Sequence, residues 1–180
     1  MRSLKEIYRI GYGPSSSHTM GPTKAAEIFL KHNDDANCYR ITLYGSLAAT
    51  GKGHLTDVAV ESIFRKAGKK AEILWRPKTF LPFHPNAMTF EALDANGLVV
   101  NQWTAYSVGG GALKEIEPKY LAEMTSDVYD LSTIDDIMAH CEKNGMNFWE
   151  YVKECEQPDI WDYLGEVWET MKASIVRGLA

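Results

Sequence analysis

The segment Asp94-Ala95-Asn96-Gly97 restricts the fold of this 180-residue chain more than any other. An Asn-Gly pair accepts positive φ at low cost and reverses the backbone between two strands. The runs on either side, Met88 to Leu93 and Leu98 to Val108, are apolar and rich in strand-forming residues, so an antiparallel pair is expected there. A lone two-stranded hairpin is barely stable in water and needs further strands and a covering layer. Cys38 to Tyr44 alternates and is rich in β-branched and aromatic residues, which predicts a strand; Ala71 to Trp75 predicts a shorter one. Gly21-Pro22-Thr23 precedes good helix formers from Lys24 to Lys31. Gly45 to Gly53 reads as a small-residue loop. Thr56-Asp57 then stands where it can cap a helix carrying Val58, Ile63 and Phe64 on related faces. Strand, helix, then hairpin predicts a mixed β-sheet with helices packed on one or both faces, an α+β (mixed α/β) class.

A change of character near Glu117-Pro118 divides the chain into a mixed region, 1–117, and a helical region, 118–180. Ser132-Thr133 with Asp135-Asp136 caps a predicted helix through Lys143, stopped by Asn144-Gly145. A second helix follows from Asn147, and Pro158 opens a third. That third segment sets Trp161, Leu164, Trp168, Met171 and Ile175 three and four apart. Core contact is the expected fate of such a stripe, with a surface awaiting a partner as the rarer alternative.

Hydrophobic residues make up 45% and charged residues 24%, so the chain can build a core. A net charge of -5 carries no basic footprint for nucleic acid or an anionic membrane surface. No apolar run is long enough to form a transmembrane helix, and Met1 to Ile10 lacks the apolar stretch of a signal peptide. Cys38, Cys141 and Cys155 are odd in number and without C-x-x-C spacing. They read as reduced thiols of a cytoplasmic protein, and no metal ligand set is expected.

Four motifs can carry chemistry. In Gly11-Tyr-Gly-Pro-Ser-Ser-Ser-His-Thr-Met-Gly-Pro22, three serines, a histidine and a threonine lie directly before a helix start, framed by glycines and prolines. Hydroxyls and backbone N–H groups there converge on an anion such as a carboxylate, helped by the helix dipole; the plain alternative is a capping loop. The second motif, Gly45-Ser-Leu-Ala-Ala-Thr-Gly-Lys-Gly-His-Leu-Thr-Asp57, has the outline of a phosphate loop but not its spacing. Five residues separate Gly45 from Gly51 where four are required, and Gly53 follows Lys52 where Ser or Thr should stand. Nucleotide binding is therefore excluded. What remains presents Lys52, His54 and Thr56 at a helix start, where the positive helix end favours neutral imidazole, the form a general base needs. The third motif, Phe83-His84-Pro85-Asn86, places another histidine beside a strand start. The fourth, Tyr106-Ser-Val-Gly-Gly-Gly111, ends a strand, with strand termination and a binding role both open. His32 and His140 read as solvated.

Taken in this order, the four motifs resemble the β domain of the bacterial iron–sulfur-dependent L-serine dehydratases, over about residues 1–115. The tail, notably Trp168 to Gly178, looks like the linker of that family into its catalytic α domain. The resemblance implies a fold similar to the allosteric substrate-binding domain of some phosphoglycerate dehydrogenases. It implies conversion of L-serine to pyruvate and ammonia, with a [4Fe-4S] cluster as Lewis acid held by an α domain in cis or trans. Cys38, Cys141 and Cys155 do not match the cluster ligands, so the chain is expected to be a fragment or a β subunit, inactive alone. By position, Ser15, Ser16, Ser17, His18 and Thr19 would border the substrate and bind its carboxylate, joined by Lys52 and Asn86. His54 would remove the Cα proton, with His84 and Thr56 as further catalytic candidates. The alternative implied by the same resemblance is a regulatory module that binds L-serine as an allosteric ligand. A homodimer is a further expectation.

Overall fold

The computed structural model describes residues 1–121 and 127–180. They fall into two compact units, one of Gly11–Met124 and one of Met1–Ile10 with Thr125–Ala180. The first ten residues thus belong with the helical part of the chain.

The larger unit runs α1 (Gly21–Lys31), β1 (Cys38–Tyr44), α2 (Gly45–Thr50), α3 (Thr56–Lys66), β2 (Lys70–Arg76), β3 (Ala87–Leu93), β4 (Val99–Gly109) and β5 (Ala112–Lys114). The sheet order is β2-β1-β3-β4-β5; β2 and β1 are parallel, and every other pair is antiparallel. This is the mixed sheet of an α+β fold. The expected hairpin forms between β3 and β4: Asp94 Oδ1 accepts from the N–H groups of Asn96 and Leu98 while Gly97 takes φ +79°.

Because side chains alternate along strands, the register sorts the sheet into two faces. Tyr39, Ile41 and Leu43 oppose Ala92, Phe90 and Met88, and the last two oppose Trp103 and Ala105. These side chains form the buried core with Ala25, Ala26 and Phe29 of α1 and Val60 and Phe64 of α3. Phe29 touches the rings of Tyr39, Phe90 and Trp103. The other face is polar. Thr42, Thr89 and Thr104 form one row, in which the last two hydroxyls are 2.9 Å apart, and Arg40 lies between Glu72 and Glu91.

Several boundaries differ from those expected. The segment Gly45 to Gly53 is a loop only in its second part, a turn over residues 51–55: Gly45, at φ +47°, turns the end of β1 straight into α2, which buries Leu47 and Ala48. A Cβ on Gly45 would lie 2.6 Å from the Pro85 carbonyl oxygen, so this turn requires glycine. Helix α1 begins at Gly21, directly after a π-helical turn over Ser16–Met20. Thr56 does not cap α3. Leu55 holds that place in the left-handed region, and the Thr56 hydroxyl is used elsewhere. Val58 is 52% exposed, so the buried stripe of α3 is Thr56, Val60 and Phe64. The three glycines 109–111 all have positive φ and turn β4 into the short β5, which completes the sheet edge.

The smaller unit contains α4 (Ile134–Asn144), α5 (Phe148–Cys155) and α6 (Ile160–Leu179). Their ends follow the expected signals. The Thr133 hydroxyl accepts from Asp136 N, Gly145 ends α4 at φ +64°, and Asn147 with Glu150 forms a reciprocal capping box. Glu156, buried, accepts hydrogen bonds from Ser3 Oγ, Leu4 N and Tyr129 OH, which holds its carboxyl below the ordinary value despite burial. The stripe on α6 is not core: Trp161, Trp168, Met171 and Ile175 are exposed, and the helix buries Ile160 and Val167 instead.

Phe29 joins α1 to three strands at once, so Phe29→Ala is expected to cost about 3–5 kcal/mol of stability, measured by urea denaturation of the chain.

Candidate functional site

The serine-rich motif folds back on itself. The Ser15 carbonyl accepts from Thr19 N at 2.9 Å and Met20 N at 3.1 Å, and Ser15 Oγ accepts from His18 N at 3.2 Å. This wide turn leads into α1 at Gly21 and leaves Ser16 exposed. Single π-turns of this kind are frequent at functional sites. Helix α1 packs directly against β4 here, since a Cβ on Gly21 would lie 2.3 Å from Ser107 Oγ.

Two reciprocal bonds join the serine-rich motif to the second one. Thr19 Oγ1 donates to the His54 carbonyl at 2.9 Å, and Thr56 Oγ1 donates to the His18 carbonyl at 2.6 Å. Each histidine backbone is thereby held by a threonine of the other motif, and the two rings lie 4.6 Å apart at their centroids. Thr56 is fully buried, and its hydroxyl serves this bond. Leu55, between His54 and Thr56, is the one non-glycine residue with positive φ among the described residues. Such a conformation costs about 1–3 kcal/mol and persists only where its surroundings enforce it.

The two rings differ in their surroundings. His18 Nδ1 is 2.9 Å from Ser17 Oγ and its Nε2 is 3.3 Å from Ser46 Oγ. Burial and then the neighbouring His54 hold His18 below the ordinary histidine value, against an opposing hydrogen bond with Ser46. His54 Nδ1 lies 3.0 Å from the Thr50 carbonyl, which can only accept. The proton of the neutral ring is therefore on Nδ1, leaving the Nε2 lone pair available as a base.

The third and fourth motifs meet at the same end of the sheet. Ser46 N donates to the Pro85 carbonyl at 3.0 Å, and Ser107 N donates to the Asn86 carbonyl at 2.9 Å. His84 Nδ1 accepts from Asn86 N at 3.1 Å, so the neutral ring carries its proton on Nε2. Asn86 Nδ2 reaches the Ser107 carbonyl at 3.4 Å. Asn86 Oδ1 and Ser107 Oγ are both buried and have no hydrogen-bond partner among the described residues.

Of the residues marked in the sequence, Ser15, Ser17, His18, Thr19, His54 and Thr56 form one bonded cluster, and exposed Ser16 lies within its turn. His84 and Asn86 belong to the adjoining loop. Lys52 is directed to Trp75, with Nζ 5.7 Å from the ring centroid. Two residues escaped the sequence reading. Ser46 had only its place after a strand as a signal, and Ser107 only its position inside Tyr-Ser-Val-Gly-Gly-Gly. Two surface hollows, of about 500 and 490 Å³, are lined by none of these residues.

Residues 3–65 and 63–117 match the family described as serine dehydratase beta chain. An L-serine dehydratase of Haemophilus influenzae is 30% identical, over 99% of this chain and 50% of its own length. L-serine dehydratase 1 of Escherichia coli is 28% identical, over 99% of this chain and 49% of its own. An L-serine dehydratase of Mycobacterium bovis is 35% identical, over 61% of this chain and 32% of its own. The chain spans about half the length of the first two relatives.

Because the folded state disfavours charge on His18, unfolded chains bind its proton more readily. The stability linked to this ring is complete above pH 6.5, its ordinary value, and is lost as pH falls through the lower folded value. In His18→Gln the melting temperature is expected to decline less between pH 7 and pH 5 than in the parent chain. Parallel curves from thermal melts across that range would refute the assignment.

Proposed function

From its membership of the serine dehydratase beta chain family, we propose that this chain is the β portion of an L-serine ammonia-lyase and lends acid–base and substrate-binding residues to the elimination. The observation that carries this reading is the histidine pair, one ring held by two hydroxyls and the other with a free Nε2 lone pair, set against the serine-rich turn.

In this reading the hydroxyls of Ser15, Ser16 and Ser17, at the start of the turn into α1, receive the substrate carboxylate, where the helix dipole favours negative charge. His54 Nε2 takes the Cα proton. The electron pair of that C–H bond forms the Cα–Cβ double bond as the Cβ–O bond breaks and the hydroxyl leaves. The resulting enamine tautomerises to an imine, and water releases ammonia and pyruvate. His18 lies beside the base and is held against protonation, so the proton taken up in the step goes to His54. Thr19 and Thr56 position the two rings by holding their backbone carbonyls. Lys52 and His84 stand at the border of this arrangement.

Hydroxyl departure calls for an electrophile, and the residues here do not fit the iron–sulfur cluster the family resemblance implies. Cys38 lies in β1, Cys141 in α4 and Cys155 in α5, and among the described residues no three His, Cys, Asp or Glu gather as a ligand set. No step through a cluster is assigned to this chain. In the proposed enzyme the cluster belongs to the half of the relatives' length that this chain does not match, supplied in cis or in trans.

The test is anaerobic turnover of L-serine by the chain combined with that remaining half. His54→Ala is expected to lower kcat by about 10²–10⁴-fold, the usual contribution of a general base. Ser16→Ala is expected to raise KM more than it lowers kcat. An unchanged rate in His54→Ala would overturn the catalytic assignment. Retained kcat with altered activation by serine in Ser16→Ala would instead favour a regulatory serine-binding module.

A further inference from the structure

Helix α6 carries an apolar face that its own unit leaves uncovered. The first half of the helix buries Ile160 and Val167, whereas every residue from Met171 to Ala180 is exposed. A helical stretch this short is marginal in water alone and takes most of its stability from packing an apolar face. The β-branched Ile175 and Val176, with Gly178, lower its intrinsic tendency further.

The spacing on that face says what fits it. Trp161, Leu164, Trp168, Met171 and Ile175 stand alternately three and four residues apart, the 3.5-residue period with which one helix packs along another. Trp161 and Trp168 are exposed and Leu164 is half-buried, so the seam continues from the packed half of the helix into the exposed half. Helices that pair with their own copies set complementary charges on the flanks of such a seam. Here the flanks are Gly165, Lys172 and Ser174, besides Ile160 and Val167, which are buried within the unit. Lys172 is the single charge among them, and it pairs with Glu169 of its own helix at 2.7 Å. The flanks therefore offer a second copy no opposite charge.

The relatives indicate the occupant. The L-serine dehydratases of Haemophilus influenzae and Escherichia coli match 99% of this chain, α6 included, and that match takes up only 50% and 49% of their own length. Helix α6 thus has a counterpart in proteins that carry a further half. We propose that the seam centred on Trp168 docks on an apolar helix of the half of the relatives' length that this chain does not match. This inference rests on the reading of the chain as the β portion of a larger enzyme, and adds to it the surface through which the two halves meet.

The test mixes the 180-residue chain with the remaining half used in the turnover assay and follows association by sedimentation velocity. Trp168→Glu and Ile175→Glu alter exposed side chains, so the melting temperature of the chain alone is expected to stay level. Their affinity for the remaining half is expected to fall about 30-fold or more, as for a central anchor of an interface. Ala173→Glu puts the same charge on the opposite side of α6 and is expected to bind as the parent does. In the parent complex the amides of residues 171–179 are expected to gain protection from hydrogen exchange.

Equal affinity of the parent and Trp168→Glu, or no complex at all, would overturn the docking. So would a chain that sediments alone as a dimer and becomes a monomer in Trp168→Glu, which would give the seam to a second copy. A complex that depends on Trp168 but does not turn over L-serine would leave the docking standing and overturn the catalytic reading instead.

Discussion

The candidate site depends on two crossed hydrogen bonds between threonine hydroxyls and histidine carbonyls. Thr19 holds the carbonyl of His54 and Thr56 holds that of His18, across 35 and 38 residues of chain. Both bonds act on the main chain and leave the imidazoles to other partners. Neither motif could place its ring alone: the serine-rich turn has wide π-helical geometry, and Leu55 beside His54 sits at φ +55°. Such conformations survive only where tertiary contacts fix them. The crossed bonds turn two irregular segments into one rigid corner at the start of α1 and α3.

Around that corner, polarity is distributed unequally. The His18 ring has a hydroxyl near each nitrogen and lies in a buried place that disfavours its charge. His54 is tied through Nδ1 alone. Two chemically identical side chains 4.6 Å apart are thereby given different hydrogen-bonding surroundings by their neighbours. The sheet brings the remaining groups to the same place. Asn86 and Ser107 face each other at the end of the β3–β4 pair because the register set at the Asn96-Gly97 turn shifts by one residue between Leu93 and Ala92.

The fold was legible where local rules and burial agree. Cys38–Tyr44 forms a strand with the boundaries its alternation predicts, and the caps of α4 and α5 stand at Thr133 and Asn147. Legibility failed where a distant contact overrode local chemistry. Small residues after β1 suggested a loop, yet burial of Leu47 and Ala48 makes a helix there. Thr56 has the residue type of a cap, but its hydroxyl is taken by a carbonyl far away in sequence. The stripe on α6 has core spacing but remains exposed, because periodicity reports an apolar face and not what covers it. The Lys52 ammonium stands over the Trp75 ring of β2, a contact that no local pattern announces.

By itself the sequence determined the class of fold, the hairpin and the loops that bear histidine and serine, because turn chemistry, alternation and capping act over a few residues. It also carried the resemblance to the serine dehydratases, through four ordered motifs. Tertiary structure alone decided that His18 and His54 form a pair, which of their nitrogens is free, that Ser46 stands beside His18 and that Ser107 lies against Gly21. Those outcomes depend on hydrogen bonds and burial between segments tens of residues apart. No local pattern encodes which carbonyl a hydroxyl will find, or which oxygen will be left without a partner.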